Sequence, residues 1–262
     1  VSKSGMVVSQ NYLSSDIGVQ ILEKGGNAVD AAVAVGFSLA ITLPRAGNLG
    51  GGGFMLVYIK EKDEIFYIDY RSKSPLNSSI ENIFDIAKSR KFKPQDFTND
   101  MFDKTRYGYK APAVPGTVAG LLEARKNFGK LPLQEVLEPV IKQAEEGIIV
   151  SYDLSKAIED TEQLKADPES FKIYFRDGKA IKQNSIFKRP DLAKTFKIIS
   201  KQGRDGFYKG EVAENILKAM NINGGLFSIK DFESYEAKFS SPIAASYRGN
   251  LVFTAGPPSG GG

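Results

Sequence analysis

One long apolar stretch constrains the fold of this chain more than any other feature of its sequence. Residues 28–43 carry a single charged side chain, Asp30, and the stretch ends at Pro44. It is shorter than the roughly 20 apolar residues that a membrane-spanning helix needs. Because residues 28–41 are apolar all round a helix, they predict a central helix buried in a core. Asn27 is suited to cap this helix, with Asp30 as the acid of a capping box.

The residues before this stretch predict two more elements. Residues 6–9 form a short apolar run typical of a strand. Leu13, Ile17 and Ile21 then recur on one helical face, and a glycine pair follows that ends the helix. We therefore expect a strand and an amphipathic helix to precede the buried helix.

The residues after Pro44 predict a glycine-rich turn followed by a β-hairpin. Residues 45–53 lead into residues 54–59 and 65–70, both rich in residues that favour strands. A phosphate-binding loop leads from a strand into a helix N-terminus, whereas these glycines lead from a helix into a strand. We interpret the segment as close backbone packing or a ligand-facing turn, and not as a nucleotide site.

The remainder of the chain alternates helical and extended patterns. Apolar residues predict a helix over residues 118–127 and another over 133–144, which Pro139 should break and restart. A strand is predicted over 251–254. This alternation favours a single α/β (α+β) domain over residues 1–262, although the length alone also allows two domains.

The composition excludes several classes of function. Lys and Arg number 35 against 31 Asp and Glu, and the net charge of +4 is too weak to indicate a nucleic-acid partner. We interpret the basic cluster at residues 88–93 as a solvated helix end and loop. With no His and no Cys, the chain cannot build a Ser-His-Asp or Cys-His centre or a zinc-thiolate site.

The remaining nucleophiles are Ser and Thr, which need a Lys or an N-terminal amine as base. No Ser-x-x-Lys pattern lies at a convincing helix start. The composition therefore indicates a chain that binds and positions a substrate, with the nucleophile elsewhere and no catalytic residue in this chain.

The first residues of the chain are informative about the cellular compartment of the protein. Residues 1–10 lack a basic segment followed by an apolar one, so they contain no secretory signal. The first residue is Val1 and not Met, so a trimmed N-terminus and a lost leader stay open. Without cysteines the sequence carries no redox evidence. A cytoplasmic location is favoured over a periplasmic or secreted one.

Arg71 is the candidate binding residue. It directly follows the hairpin strand predicted over residues 65–70, where the backbone is rigid and a turn begins. A guanidinium there can hold a carboxylate through two parallel hydrogen bonds. The alternative is a surface Arg that pairs with Asp69 or with nothing.

Ordered blocks along nearly the whole chain resemble one family. The first blocks are residues 6–9, 13–18, 25–34, Pro44, residues 47–54 (GNLGGGGF), residues 69–71 (DYR), Pro75 and residues 114–120 (VPGTVAG). The later blocks are residues 206–210 (GFYKG), 224–225, Asp231, Tyr235, Pro242, residues 247–249 (YRG) and 257–261 (PPSGG). In this order they resemble the large subunit of the γ-glutamyltransferase (γ-glutamyl transpeptidase) family.

The resemblance implies an αββα sandwich of the N-terminal nucleophile hydrolase type, of which residues 1–262 are the large-subunit part only. It implies a precursor that cleaves itself, so that a Thr begins the small subunit, attacks the γ-glutamyl carbonyl and uses its own amine as base. Glutathione is the usual donor, and water, an amino acid or a peptide accepts the acyl group. The Thr and the small subunit are expected to lie outside these residues. The resemblance implies no cofactor and no metal.

Only one substrate-binding residue of the family maps onto this chain, the Arg that holds the α-carboxylate of the γ-glutamyl group, and it maps onto Arg71. The family usually has Arg-Glu-x-x-Pro, whereas residues 71–75 read RSKSP. This departure leaves open another amide substrate, such as a poly-γ-glutamate or an acylated β-lactam precursor. A non-catalytic binding or scaffold relative is the other alternative.

Overall fold

A computed structural model describes residues 5–86 and 93–259. Residues 88–92 of the basic cluster and residues 260–261 of the family match lie outside the described residues. The chain forms two compact units. The first unit is Val1–Asn48 with Lys130–Gln202, and the second unit is Leu49–Gly129 with Gly203–Gly262. The single domain over residues 1–262 stays a prediction.

Helices occur in both units. They are α1 (Tyr12–Glu23), α2 (Ala28–Thr42), α3 (Ile80–Phe84), α4 (Asn99–Lys104), α5 (Thr117–Phe128), α6 (Leu133–Glu146), α7 (Tyr152–Glu159), α8 (Gln163–Ala166), α9 (Pro168–Tyr174), α10 (Pro190–Gln202), α11 (Asp205–Tyr208), α12 (Gly210–Ile222) and α13 (Ile229–Glu233). A 3-10 turn lies at Pro94–Asp96. Within the described part of the chain, no helix is both long and apolar enough to cross a membrane.

Strands also occur in both units and are mostly short. They are β1 (Phe54–Ile59), β2 (Glu64–Asp69), β3 (Ile148–Ile149), β4 (Phe175–Arg176), β5 (Lys179–Ala180), β6 (Ile186–Phe187), β7 (Lys238–Ser240), β8 (Ile243–Tyr247) and β9 (Asn250–Thr254). One sheet has the order β1-β2-β7, and β3-β6, β4-β5 and β8-β9 form pairs.

Helix α2 is the centre of the first unit, as its apolar sequence predicts. Val33, Phe37 and Ile41 are fully buried, and the ring of Phe37 meets Phe196 of α10 edge to face at 5.8 Å between centroids. α1 and α6 both pack against α2. The predicted capping box is confirmed, because the Asn27 side chain accepts from the N–H of residue 30 while the Asp30 carboxylate accepts from the N–H of Asn27.

Two predictions in the first unit are wrong. Residues 6–9 do not form a strand, since a strand needs a neighbour and none pairs with them among the described residues. α6 is one continuous helix through Pro139, without the predicted restart. Val136 and Val140 on either side are fully buried. Burying such side chains stabilises by about 1.5 to 3 kcal/mol each, which offsets the roughly 3 kcal/mol cost of an interior proline.

The β-hairpin predicted in the second unit is confirmed. β1 and β2 pair antiparallel from Phe54 opposite Asp69 to Ile59 opposite Glu64. Strand β7 then pairs with the other edge of β2 and sets Lys238 opposite Asp69. α5 packs against β2 over the range predicted for a helix. The strand predicted over residues 251–254 is confirmed within β9.

Buried tyrosines form part of the core beside this sheet. The rings of Tyr208 and Tyr235 stack with centroids 5.8 Å apart and an interplanar angle of 4°. Burial raises the pKa of Tyr208 and of Tyr235 above the ordinary value and raises the pKa of Tyr70 to about 12. Each of these phenols is therefore neutral in the folded chain at physiological pH.

The pH dependence of unfolding follows from these shifts. Tyr70 has an ordinary pKa of 10.0 when unfolded and about 12 when folded. Between these values the unfolded chain loses the proton that the folded chain keeps, so stability is full below about pH 10 and falls as pH rises toward 12. Urea unfolding at stepped alkaline pH should show this fall, and Tyr70→Phe should make it shallower. An equal slope in that variant would contradict the assignment.

Candidate substrate-binding site

Arg71 lies just beyond the end of strand β2, as its sequence position predicts. The β1–β2 ladder continues for one more pair, because Gly53 and Tyr70 exchange backbone hydrogen bonds at 3.2 and 3.0 Å. Further on, Lys73 and Val114 form an isolated antiparallel bridge. The Arg71 backbone therefore lies between two paired segments.

The glycine-rich segment packs directly against the backbone at Arg71. A Cβ added to Gly52 would overlap the backbone nitrogen of Ser72 and lie 2.9 Å from the carbonyl carbon of Arg71. The carbonyl of Gly51 accepts hydrogen bonds from the N–H groups of Gly116 (2.7 Å) and Thr117 (3.0 Å), where α5 begins. These contacts support the interpretation of close backbone packing. They also occupy two N–H groups at the start of α5 that a phosphate site would need.

Hydrogen bonds hold the backbone of Arg71 at its N–H and at its carbonyl, while its side chain is exposed. Its N–H donates to Oδ1 of Asp69 at 2.9 Å, and its carbonyl accepts from the hydroxyl of Tyr235 at 2.8 Å. Within residues 5–86 and 93–259, the Arg71 guanidinium has no hydrogen-bond or ion-pair partner. Asp69 therefore pairs with the Arg71 backbone and not with its guanidinium. An exposed guanidinium without a partner among the described residues agrees with a binding residue and equally with an unpaired surface Arg.

Tyr235 is itself fixed by three neighbours. Its ring stacks on Tyr208, whose hydroxyl donates to the carbonyl of Pro115 at 2.7 Å. Nη2 of Arg204 donates to the Tyr235 carbonyl at 2.6 Å. Nζ of Lys73 lies 4.8 Å from the centroid of the Tyr235 ring. Tyr235, which follows α13, is thus held in place on three sides, and its hydroxyl supports the turn that carries Arg71.

A cavity of about 220 Å³ opens beside Arg71. Its lining residues are Asp69, Arg71, Ser72, Lys73, Lys238 and Pro258. Arginine and lysine supply most of its charge, which suits an anionic ligand. Within the described residues, no group of three or more Asp or Glu side chains is placed to hold a metal ion.

A larger cavity of about 480 Å³ lies in the first unit. It is lined mainly by apolar side chains such as Leu43, Leu154 and Ile158, and the Arg45–Asp153 ion pair (2.8 Å) is at its rim. Arg45 is the one cation among the described residues that line this cavity, and it is already paired with Asp153. The cavity at Arg71 is therefore the better candidate for an anionic substrate.

Sequence reasoning found Arg71 and missed two residues that the structure brings to it. Tyr235 appears in the family blocks, but nothing in its local sequence shows that its hydroxyl reaches a residue 164 positions away. Lys238 has no sequence signal at all, because only the pairing of β7 with β2 brings it to the cavity.

Comparison with known proteins identifies the family. The family model for gamma-glutamyltranspeptidase matches residues 14–262. The chain belongs to the gamma-glutamyltranspeptidase family. The predicted resemblance is therefore confirmed over nearly the whole sequence.

Individual relatives agree with this gamma-glutamyltranspeptidase membership. The glutathione hydrolase proenzyme of Escherichia coli (strain K12) is 39% identical over 263 residues, covering 100% of this chain and 43% of the relative. The crystal structure of Helicobacter pylori gamma-glutamyltranspeptidase matches with a TM-score of 0.89 and 38% identity, over 99% of this chain and 72% of that one. Cephalosporin acylase from Bacillus halodurans matches with a TM-score of 0.79 and 27% identity, over 92% of this chain and 44% of that one.

These likenesses confirm the predicted fold class. The chain is an α/β (α+β) member of the gamma-glutamyltranspeptidase family and has the large-subunit part of the αββα sandwich of the N-terminal nucleophile hydrolase type. It spans less than half the length of the curated relatives that it matches. The assignment of Arg71 to the substrate's α-carboxylate stays a prediction.

Proposed function

We propose that this chain is the large-subunit part of an autoprocessed enzyme that transfers or hydrolyses γ-glutamyl groups, with glutathione or another γ-glutamyl amide as donor. The observation that carries the proposal is the exposed Arg71 guanidinium. It has no partner in the described part of the chain, while hydrogen bonds hold the Arg71 backbone at the end of β2. The Escherichia coli relative is named a glutathione hydrolase proenzyme, which supports both the donor class and the processing.

In this proposal Arg71 binds the α-carboxylate of the γ-glutamyl group. A guanidinium can donate two parallel hydrogen bonds to a carboxylate, which fixes the orientation of the donor as well as binding it. The backbone clamps at Asp69 and Tyr235 hold the Cα of Arg71 in place. Because the backbone is already held, binding costs less backbone conformational entropy at this position.

The nucleophile belongs to the partner, a small subunit made from the same precursor. The chain has no His and no Cys, and we expect a Thr at the start of the small subunit to attack the γ-glutamyl carbonyl with its own amine as base. The acyl group then passes to water, an amino acid or a peptide. No cofactor takes part in this chemistry.

This division of labour predicts that the 262-residue chain alone is inactive. We expect no hydrolysis of a γ-glutamyl anilide by the purified chain, because it has no nucleophile with a base. The same assay on the processed full-length precursor should release the aniline. Turnover by the chain alone would contradict the proposal, and so would an inactive complex whose small subunit begins with Thr.

A second candidate is an enzyme of the same architecture that acts on another amide. The similarity to cephalosporin acylase from Bacillus halodurans favours it, as does the sequence Ser72-Lys73 after Arg71. Competition between a γ-glutamyl anilide and an acylated β-lactam in the processed enzyme distinguishes the two. Faster turnover of the β-lactam would favour this second candidate.

A further inference from the structure

Three cationic side chains line the cavity beside Arg71, at the end of the β1-β2-β7 sheet: Arg71, Lys73 and Lys238. Asp69 and Lys238 are opposite each other in the register of β2 and β7, so their side chains leave the same face. Arg71 lies two residues beyond Asp69, just past the last pair of the β1–β2 ladder, and both residues line the cavity. Lys73 completes the charged lining. Three cations and one carboxylate leave an excess of positive charge at the cavity.

Two of these charged side chains, Asp69 and Lys73, already make hydrogen bonds within the protein. The Asp69 carboxylate accepts from the N–H of Arg71 at 2.9 Å. Nζ of Lys73 donates to the carbonyl of Glu236 at 3.3 Å and lies over the Tyr235 ring. In the part of the chain that the structure describes, the ammonium of Lys238 has no hydrogen-bond or ion-pair partner, like the guanidinium of Arg71. Two cationic side chains therefore line one small cavity without a partner among the described residues.

The charge of a γ-glutamyl group does not account for both donors. That group carries one α-carboxylate and one α-ammonium, so it has no net charge and supplies a single anion for Arg71. A ligand that also neutralises Lys238 needs a second anionic group. The cavity of about 220 Å³ is smaller than the roughly 300 to 1,000 Å³ typical of pockets that enclose drug-sized ligands. It therefore suits a short ligand.

We propose that Lys238 recognises a second carboxylate, carried by the amino acid that is amide-linked to the γ-glutamyl group, and so selects γ-glutamyl amino acids and peptides over uncharged γ-glutamyl amides. The inference rests on the proposed function, because it takes Arg71 as the partner of the α-carboxylate. Lys238 is a specificity-determining residue in this scheme and has no part in the bond-making steps.

The test uses two donors that differ in one group, γ-glutamylglycine with a carboxylate and γ-glutamylglycinamide with an amide in its place. In the processed complex, the wild type should favour γ-glutamylglycine in kcat/KM by about ten-fold, as expected for one charge-assisted hydrogen bond. Lys238→Gln should remove most of that preference. Lys60→Gln is the matched control, since Lys60 is an exposed lysine of the same unit that does not line the cavity.

Several outcomes decide the inference. A preference that survives in Lys238→Gln overturns it, and so does an equal loss for both donors, which would indicate a general structural effect. Arg71→Ala should weaken both donors and leave their ratio unchanged. Calorimetric binding of non-cleavable analogues of the two compounds, with CH2 in place of the scissile amide nitrogen, to the wild type and to Lys238→Gln gives the same ratio without turnover. If the wild type turns over neither donor, the proposed function fails while the binding ratio still decides the role of Lys238.

Discussion

Replacing Arg71 by Ala lowers kcat/KM for γ-glutamyl donors by about ten-fold to more than a hundred-fold in the processed two-subunit enzyme. A charge-assisted hydrogen bond contributes roughly 1.5 to 3 kcal/mol, and each 1.4 kcal/mol is a factor of about ten. Arg71→Lys keeps the charge and loses the two-pronged geometry, so it should weaken donor binding less than Ala does. Steady-state kinetics with a γ-glutamyl anilide measures both variants.

Folding and self-cleavage should survive in Arg71→Ala. The hydrogen bonds that Arg71 makes to Asp69 and Tyr235 use only its backbone N–H and carbonyl, and Ala retains both. Denaturing gels report the processed subunits, and a melting curve reports the fold. Arg106→Ala, at an exposed arginine of the same unit, is the control and should keep full activity. Unchanged kcat/KM in Arg71→Ala, or a chain that no longer folds, would assign Arg71 a structural role instead.

Replacing Gly52 by Ala destabilises the fold by about 1 to 3 kcal/mol, the usual cost of forcing extra atoms into a packed site. The new Cβ would overlap the backbone nitrogen of Ser72 and lie 2.7 Å from the carbonyl oxygen of Tyr70. Both are backbone atoms, which cannot swing aside as a side chain can. Gly52 is not among the described glycines with positive φ, so the cost is a clash and not a left-handed backbone.

Urea unfolding of the wild type and of Gly52→Ala measures this cost. Gly256→Ala is the matched control, because a Cβ there would lie 3.5 Å from the Ile243 side chain, an ordinary van der Waals contact. That control should unfold with nearly the wild-type free energy. An unchanged midpoint in Gly52→Ala would mean that the glycine segment is loose and does not brace the turn at Arg71.

Local patterns in the sequence were enough to predict several elements of the fold. The apolar stretch over residues 28–41 predicts α2, and Asn27 with Asp30 predicts its cap, because helix period and capping depend on residues within a few positions of one another. The hairpin of β1 and β2 is also a local structure, joined by a short turn. The same holds for Arg71, whose place at a strand end follows from the strand before it.

Predictions that depend on distant partners were less successful. The strand predicted over residues 6–9 has no described neighbour, since strand propensity alone does not supply one. Pro139 remains inside α6 because buried apolar side chains on both sides hold the helix together, and local propensity does not include that burial. In both cases tertiary contacts outweigh the local preference.

The sequence by itself determined the core helix, the hairpin, the family and the choice of Arg71 as candidate, because each depends on residue order or short spacings. Only the tertiary structure decided what surrounds that arginine. The hydroxyl that clamps the Arg71 carbonyl comes from Tyr235, 164 positions away, and Lys238 reaches the cavity only because β7 pairs with β2. Contacts between segments so far apart in sequence arise from the packing of the whole unit. The local sequence of either segment does not indicate them.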